Sequence, residues 1–340
     1  SYKHLFSRAL SAAPDRLHFA AHSHHLWPDA SYDGQMQAWE DAASLADHKW
    51  GKVMGPIWAE AQGHIARELS LPDPAAISFS SNTHDFLLRI FSAIEGKRPV
   101  RVLATDGEFH SFRRQIARWV EAGDAELVTA APDALADEAE KGGYDLIFVS
   151  QVLFNSGALL GDIDRLAVLA DPNGPWVVVD GYHGFMAVPT DLSAVADKIF
   201  YLAGGYKYAM AGEGVCFLHA PDGFAPRPAA TGWYAEFDDL ALPPGSVGYA
   251  PDGRRFLGST FDPSGLYRFN SVQQKLKAEG LTTQMISDHV AALQNQFLAS
   301  NTFPQFDLLN APNGDGQARF LAFKGDAAAD MHDALDGKNI

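Results

Sequence analysis

Short apolar runs alternate with amphipathic segments along most of the chain. The apolar runs predict strands at 75–81, 99–106, 125–130, 144–151, 175–182, 197–203 and 214–220. Segments with helical spacing predict helices at 30–50, 56–70, 83–94, 111–122, 133–142 and 162–170. Most strands are separated by a helix, and the run Val177-Val178-Val179 is apolar on both faces, as a covered strand should be. The pattern therefore predicts an α/β fold with a largely parallel sheet.

The last two predicted strands break this alternation. Only a short glycine-rich link joins 197–203 to 214–220, which predicts an antiparallel pair within a mixed sheet. After Pro221 the sequence becomes rich in Pro, Gly and Asp, and we place a domain boundary near residue 225. The predicted organisation is an N-terminal arm at 1–30 that joins the smaller domain, a large domain at 31–225, and a smaller α+β domain at 226–340.

The composition narrows the possible partners. The chain has 340 residues and a formal net charge of -16, and because it has no basic run, nucleic acid and anionic membrane surfaces are poor partners. No apolar stretch approaches the ~20 residues of a spanning helix, and the N-terminal segment lacks the apolar core of a signal peptide. Cys216 is the single cysteine, which excludes an intrachain disulfide and suits a reducing compartment. We expect a soluble, cytoplasmic protein.

Polar and aromatic side chains follow several of the predicted strands. In open α/β sheets, ligands bind beyond the carboxyl ends of the strands, where such side chains meet. They are Ser81, Asn82 and Thr83 after the first strand, Phe109 and His110 after the second, Asp180 and His183 after the fifth, and Tyr206 and Lys207 after the sixth. Lys207 stands between two tyrosines in the stretch LAGGYKYAMAGEG, an unusual setting for a surface lysine.

This set of side chains meets the chemical needs of pyridoxal phosphate. A lysine amine forms a Schiff base with the cofactor aldehyde, and a carboxylate keeps the pyridine nitrogen protonated so that the ring accepts electrons. An aromatic face packs on the ring, and the start of a helix binds the phosphate. We therefore predict a pyridoxal phosphate site at this edge of the sheet.

Two stretches carry a resemblance to a known family. VVVDGYHGFMAVPTDL at 177–192 and FYLAGGYKYAMAGEGVCFLH at 200–219 are similar to motifs of the class V aminotransferases, a family of fold type I pyridoxal phosphate enzymes that includes kynureninase. The resemblance is kynureninase-like and runs from roughly His18 to Ile340. It implies a three-layer α/β/α fold with a mostly parallel sheet and a smaller α+β C-terminal domain. It also implies a homodimer whose subunits share their active sites.

The resemblance implies a role for each candidate residue. Lys207 would be the Schiff-base lysine, Asp180 would pair with the pyridine nitrogen, and His183 would lie near the cofactor O3′ atom. Other implied cofactor contacts are Asn82, Thr83 and Tyr206 at the phosphate, Phe109 stacked on the ring, and Ser259 or Thr260 at the phosphate across the dimer interface. Trp233 would line the substrate pocket from that interface.

The chain departs from kynureninases in three places. They carry an Asn-Ser-Leu-Gly turn near the start, where this chain has AAHSHHLWP at 20–28. They carry a Ser-Asn-Pro stretch against the kynurenine ring, where this chain has GSTFDPSG at 258–265. Their carboxylate-binding arginine would follow DALDGKNI at 333–340. Because the substrate motifs differ, we expect transamination of an α-amino acid, which needs the fewest extra groups, and keep kynureninase-like cleavage of a Cβ–Cγ bond as the alternative.

Several residues have a second interpretation. The run His22–His25 is compatible with a metal hydrolase, but Asp29 is the only nearby carboxylate, so we expect no metal and a loop that brings His24 to the substrate. NGDG at 313–316 resembles part of a calcium loop but lacks the final glutamate, which favours a hairpin turn. His110 is the alternative stacking ring, and His183 is alternatively a structural histidine.

Two further hypotheses concern the chain as a whole. Cys216 lies within an apolar strand and is expected to be buried and inert, which argues against a desulfurase that uses a cysteine nucleophile. A non-catalytic protein that kept the fold would have no chemical reason to retain Lys207 and Asp180, although it remains an alternative.

Overall fold

The molecule is built around a seven-stranded sheet. The computed structural model describes residues 2–96, 98–237, 243, 245–312 and 317–340, so the predicted turn at 313–316 lies outside the described residues. The strands are β1 (Ile77–Ser80), β2 (Val100–Thr105), β3 (Ala125–Ala130), β4 (Leu146–Ser150), β5 (Trp176–Asp180), β6 (Ile199–Gly204) and β7 (Cys216–His219). Their order across the sheet is β1-β7-β6-β5-β4-β2-β3.

Helices connect the strands and cover the sheet. They are α1 (Ser7–Ala12), α2 (Asp29–Leu45), α3 (Lys49–Lys52), α4 (Trp58–Glu68), α5 (Thr83–Ser92), α6 (His110–Ala122), α7 (Leu135–Glu140), α8 (Ile163–Leu169), α9 (Ser264–Ala278), α10 (Thr283–Ser300) and α11 (Ala328–Asp336). Short 3-10 turns and one π-turn account for further segments: Lys3–Phe6, Ala46–His48, Val53–Ile57, Pro74–Ala76, Trp233–Glu236 and Gly253–Phe256.

The strand directions confirm the predicted mixed sheet. β2 to β6 pair in parallel with their neighbours along β3-β2-β4-β5-β6, while β7 is antiparallel to both β6 and β1. In β4, β5 and β6 every residue except Asp180 is buried, as expected for strands covered on both faces. The exception is the last residue of β5, at the carboxyl edge where ligands bind in such sheets.

The C-terminal region packs back on the N-terminal helices. α9 lies along α2, and a Cβ atom added to Gly34 would stand 2.5 Å from the Tyr267 carbonyl oxygen, so the two backbones approach too closely for a side chain at that point. The Tyr267 hydroxyl donates to Asp41 at 2.8 Å. Arg268 donates to the Ala211 carbonyl at 2.7 Å, which ties α9 to the loop after β6.

The remaining C-terminal elements are helices and a small ladder. β8 (Asp307–Leu308) and β9 (Phe323–Lys324) form an antiparallel pair. The predicted α+β composition after residue 225 matches these elements, while the domain boundaries themselves stay a prediction. Among the described residues, no helix is both long and apolar enough to span a bilayer.

Candidate active site

A cavity of about 480 Å³ opens at the carboxyl ends of β4, β5 and β6. Ser150 ends β4 and Asp180 ends β5, and both line the cavity. Seven of the predicted cofactor residues line it together: Asn82, Thr83, Phe109, Asp180, His183, Tyr206 and Lys207. Widely separated segments therefore meet at one edge of the sheet, as the strand-end argument predicted.

Lys207 projects into this cavity from the turn after β6. Its side chain is buried, and its Nζ atom is hydrogen-bonded to His183 Nε2. Nζ also lies 5.6 Å from the ring centre of Phe109 and 5.5 Å from that of Tyr182. Burial lowers the pKa of Lys207 to about 8, and the Asp180 carboxylate opposes the shift. Roughly a tenth of the amine is thus neutral at pH 7, far more than for an ordinary lysine, and a nucleophile or base requires the neutral form.

Asp180 faces Lys207 from the end of β5. Burial raises the pKa of this carboxyl to about 6, while the Tyr182 N–H, which donates to Oδ1 at 2.9 Å, and Lys207 oppose the shift. A Cβ atom at Gly181 would stand 2.0 Å from the Tyr201 hydroxyl, so the turn that directs Asp180 requires glycine there. A half-buried carboxylate that has acceptor capacity left and lines a cavity is suited to bind a cationic ring N–H.

His183 lines the cavity beside Lys207. Burial, then Lys207 and His22, lower the pKa of His183 to about 3, so the imidazole is neutral at physiological pH. Its Nδ1 atom is buried without a hydrogen-bond partner among the described residues. Its position beside the amine is compatible with the cofactor role implied by the resemblance, which stays a prediction.

Asn82 and Thr83 form the start of α5. Asn82 is the N-cap residue, and its side-chain oxygen accepts the Asp85 N–H at 2.9 Å. The unpaired N–H groups and the dipole of the first turn favour a bound anion. This helix start therefore offers the predicted phosphate position within the same cavity.

Phe109 lines the cavity opposite Lys207, at the N-cap position of α6. Its ring meets Phe154 edge to face, with centroids 5.1 Å apart. His110 packs behind it at 5.3 Å and is not part of the cavity wall. The placement favours Phe109 over His110 as the ring that packs on a bound cofactor.

The histidine-rich loop supplies the cavity with a different residue from the one predicted. His22 and Ser23 line the cavity, whereas His24 packs edge to face against Tyr206 at 5.2 Å. The carbonyl of His24 is also hydrogen-bonded to His18 at 2.7 Å. His24 therefore supports Tyr206, and its predicted substrate contact stays untested. Across the described ranges, no group of three or more His, Cys, Asp or Glu side chains is arranged to hold a metal ion.

Besides His24, three predicted residues lie outside the main cavity. Ser259 and Thr260 line a second cavity of about 230 Å³ beside Arg89. Trp233 is half-exposed and packs against Tyr234 with centroids 4.1 Å apart. The resemblance assigns all three to the active site of a second subunit, so their roles and the homodimer stay predictions.

Of two further buried groups, one was not anticipated from the sequence and the other was. Glu108 is fully buried and accepts hydrogen bonds from Thr105 and Ser150; no local sequence signal links positions 108 and 150. Cys216 is buried as expected, with its Sγ atom 3.7 Å from the Tyr182 hydroxyl. Burial raises the pKa of this thiol to about 12, so it is not a reactive nucleophile.

Solved structures with similar folds support the predicted fold class. The cystine C–S lyase C-DES, in a mutant with glycine covalently linked to the pyridoxal phosphate cofactor, superposes with a TM-score of 0.80 at 17% identity, covering 99% of this chain and 90% of that one. A cysteine desulfurase from Escherichia coli gives 0.77 at 17% identity, covering 100% and 86%. One from Thermococcus onnurineus gives 0.77 at 17%, covering 98% and 84%. The fold type I α/β architecture is thereby confirmed.

A sequence comparison identifies one curated relative. Isopenicillin N epimerase from Streptomyces clavuligerus is 27% identical over 234 residues, which cover 63% of this chain and 56% of that protein. The match thus spans little more than half of the relative. No family model matches the chain. The resemblance to class V enzymes is accordingly supported by the fold and by this relative.

Proposed function

We propose that the chain is a pyridoxal phosphate-dependent enzyme that acts on an α-amino acid. The observation that carries this proposal is the buried Lys207 amine, with its lowered pKa, facing Asp180 across one cavity. A solvated structural lysine would have neither the burial nor the carboxylate at the end of the neighbouring strand.

The residues present fit the cofactor. When bound, pyridoxal phosphate supplies an aldehyde that condenses with amines and a protonated ring that withdraws electrons from the α-carbon. Asp180 would hold the ring nitrogen, since it lines a cavity large enough for such a ligand. Asn82 and Thr83 would hold the phosphate at the start of α5, and Phe109 would cover a ring face.

Lys207 would also move the proton at the α-carbon of the substrate. Its amine, neutral above about pH 8, accepts this proton and returns it to another atom of the bound substrate or cofactor. His183 is neutral and hydrogen-bonded to the same nitrogen, so it orients the amine without adding positive charge. No further acid or base is required for transamination, which is the reaction we propose.

A second candidate reaction is epimerisation at the α-carbon. It is favoured by the 27% identity to isopenicillin N epimerase, and it likewise begins with removal of the α-proton. Desulfuration through a thiol nucleophile is disfavoured, since Cys216 is the only cysteine of the chain and is buried. Kynureninase-like cleavage stays the alternative suggested by the cofactor motifs.

The first experiment is to add pyridoxal phosphate to the purified protein and record its visible absorption, followed by a panel of L-amino acids that includes L-kynurenine. We expect a yellow protein that converts one amino acid to its keto acid. Recovery of the D-amino acid would establish epimerisation instead, and release of anthranilate and alanine would establish kynureninase-like cleavage. Lys207→Ala should bind the cofactor without covalent attachment and lose turnover at least about a thousandfold. A wild-type protein that stays colourless contradicts the proposal.

A further inference from the structure

Glu108 is a completely buried acid next to the proposed cofactor site. It lies between β2 and α6, one residue before Phe109. The Thr105 hydroxyl donates to Oε1 at 2.5 Å, the Ser150 N–H donates to Oε1 at 3.1 Å, and the Ser150 hydroxyl donates to Oε2 at 2.5 Å. Both carboxyl oxygens are therefore held, by the ends of two different strands.

These bonds fix the short segment that presents Phe109. Glu108 turns inward while Phe109 turns toward the cavity, so holding one side chain sets the direction of the next. Gly107 adds to the fit, since a Cβ atom there would lie 3.3 Å from Leu153 and 3.4 Å from Asn155. The position of Phe109 is therefore determined by contacts to β2, β4 and the turn after β4, rather than by α6 alone.

The same carboxyl is electrostatically linked to Asp180. Ser150, which donates twice to Glu108, is the register partner of Asp180 across β4 and β5. In the described part of the chain, no lysine or arginine forms an ion pair with Glu108. Asp180 is the charged group that acts on it, and Lys207 faces Asp180 from the next element. Two carboxyl groups and one amine thus share the edge of the sheet.

We propose that Glu108 is a positioning residue that, through its bonds to Thr105 and Ser150, holds Phe109 at the cavity and couples its own charge to that of Asp180 across the β4–β5 register. This inference rests on the proposed function. The Thr105 and Ser150 hydroxyl groups rotate, so they donate to an ionised Glu108 or accept from a protonated one. The same pocket therefore holds Glu108 in either state without moving Phe109.

The direction of both pKa shifts agrees with this coupling. Burial raises the pKa of Glu108 to about 7, and the Asp180 charge acts in the same direction against the hydrogen bonds of Ser150 and Thr105. Burial raises the pKa of Asp180 only to about 6. Each negative charge disfavours the other, so the two carboxyls titrate as a coupled pair rather than independently.

Two substitutions separate charge from position. Glu108→Gln keeps the size of the side chain and its hydrogen bonds but removes the charge, whereas Glu108→Ala also releases the segment. In the cofactor-loaded protein, we expect Glu108→Gln to keep the dissociation constant for pyridoxal phosphate within about threefold and to lower the pH midpoint of the visible absorption change by about half a unit or more. The negative charge of Glu108 stabilises the protonated form of the group that absorbs. Its removal therefore moves the pH midpoint of the absorption change down. Glu108→Ala should weaken cofactor binding at least about tenfold.

The matched control is Glu126→Gln, which removes an exposed carboxylate from β3 and should change neither quantity. A wild-type midpoint in Glu108→Gln overturns the charge coupling, and wild-type cofactor affinity in Glu108→Ala overturns the positioning role.

The cofactor-free protein gives an independent readout. Because the folded pKa of Glu108 is raised from 4.5 to about 7, the stabilisation it confers is full below pH 4.5 and is lost as the pH rises through 7.

The melting temperature of the cofactor-free protein should therefore decrease less between these pH values in Glu108→Gln than in wild type. An equal decrease in the two proteins counts against the raised pKa of Glu108. This readout needs no cofactor. A wild-type protein that fails to bind pyridoxal phosphate would refute the proposed function, whereas a melting profile unaffected by the substitution would refute only the inference about Glu108.

Discussion

At the scale of single residues, the candidate site depends on how burial changes the charge of a few groups. Lys207, Asp180 and His183 each have a pKa moved toward the neutral form, and burial is the largest cause for all three. Because the pKa shift of all three side chains favours the neutral form, the net charge at this edge of the sheet stays small. The chemistry of the site therefore follows the solution pH more closely than ordinary lysine and aspartate side chains would.

The first residue-scale prediction concerns the capture of the cofactor. Since only the neutral amine attacks an aldehyde and the pKa of Lys207 is about 8, the rate of covalent attachment to the cofactor-free protein should rise about tenfold per pH unit below 8 and level off above it. Stopped-flow absorption at several pH values measures this rate. A rate that keeps rising toward pH 10 would show that the amine titrates like an exposed lysine.

The second residue-scale prediction concerns Gly181. Gly181→Ala should destabilise the protein by roughly 1–3 kcal/mol or more, because the added methyl group meets the Tyr201 ring and no space is available for it. Chemical denaturation measures the change in the free energy of unfolding. Gly161→Ala is the control, since nothing lies within 4 Å of its added Cβ atom. Equal stability of the two variants contradicts the steric argument.

At the scale of elements, the strand ends and helix starts were accessible from the sequence because each depends on local pattern. The alternating apolar runs predicted β1 to β7, and short motifs placed Lys207 and Asp180 at one edge. The partners of Glu108 were not accessible, because the bond to Ser150 spans two strands and depends on their register. The choice of His22 over His24 at the cavity depends on the twist of an irregular loop, which has no periodicity to read.

The element-scale prediction concerns the start of α5. Asn82→Ala removes the side-chain cap on the Asp85 N–H and should cost about 1 kcal/mol in the free energy of unfolding. If this helix start holds the cofactor phosphate, Asn82→Ala should weaken the binding of pyridoxal phosphate more than it weakens the binding of phosphate-free pyridoxal. Asn82→Ser, which keeps a capping oxygen, should restore stability. An unchanged preference for the phosphorylated cofactor would place the phosphate elsewhere.

At the scale of the whole molecule, the predicted sharing of sites between subunits remains to be tested. Ser259 and Thr260 line a cavity apart from Lys207 in the same chain. A residue that serves a site it does not reach in its own chain must act on a second copy. Subunit complementation tests this arrangement directly.

Lys207→Ala and Thr260→Ala should each be nearly inactive, and unfolding and refolding them together should restore about a quarter of wild-type activity. Half of the randomly formed dimers then carry one intact site out of two. The measurement is turnover of the mixture against each variant refolded alone. A mixture no more active than its components would show that each site is built from one chain.

The close crossing at Gly34 has a consequence for the order in which the site is assembled. The loop that carries His22 and Ser23 leads directly into α2, and α2 is anchored on α9, which comes more than two hundred residues later in synthesis. During translation the sheet edge with Lys207 and Asp180 can form, with His24 against Tyr206, before α9 is present to hold α2. The helix that follows this wall would therefore gain its anchor only once α9 has left the ribosome, after the residues that would hold the cofactor have been made.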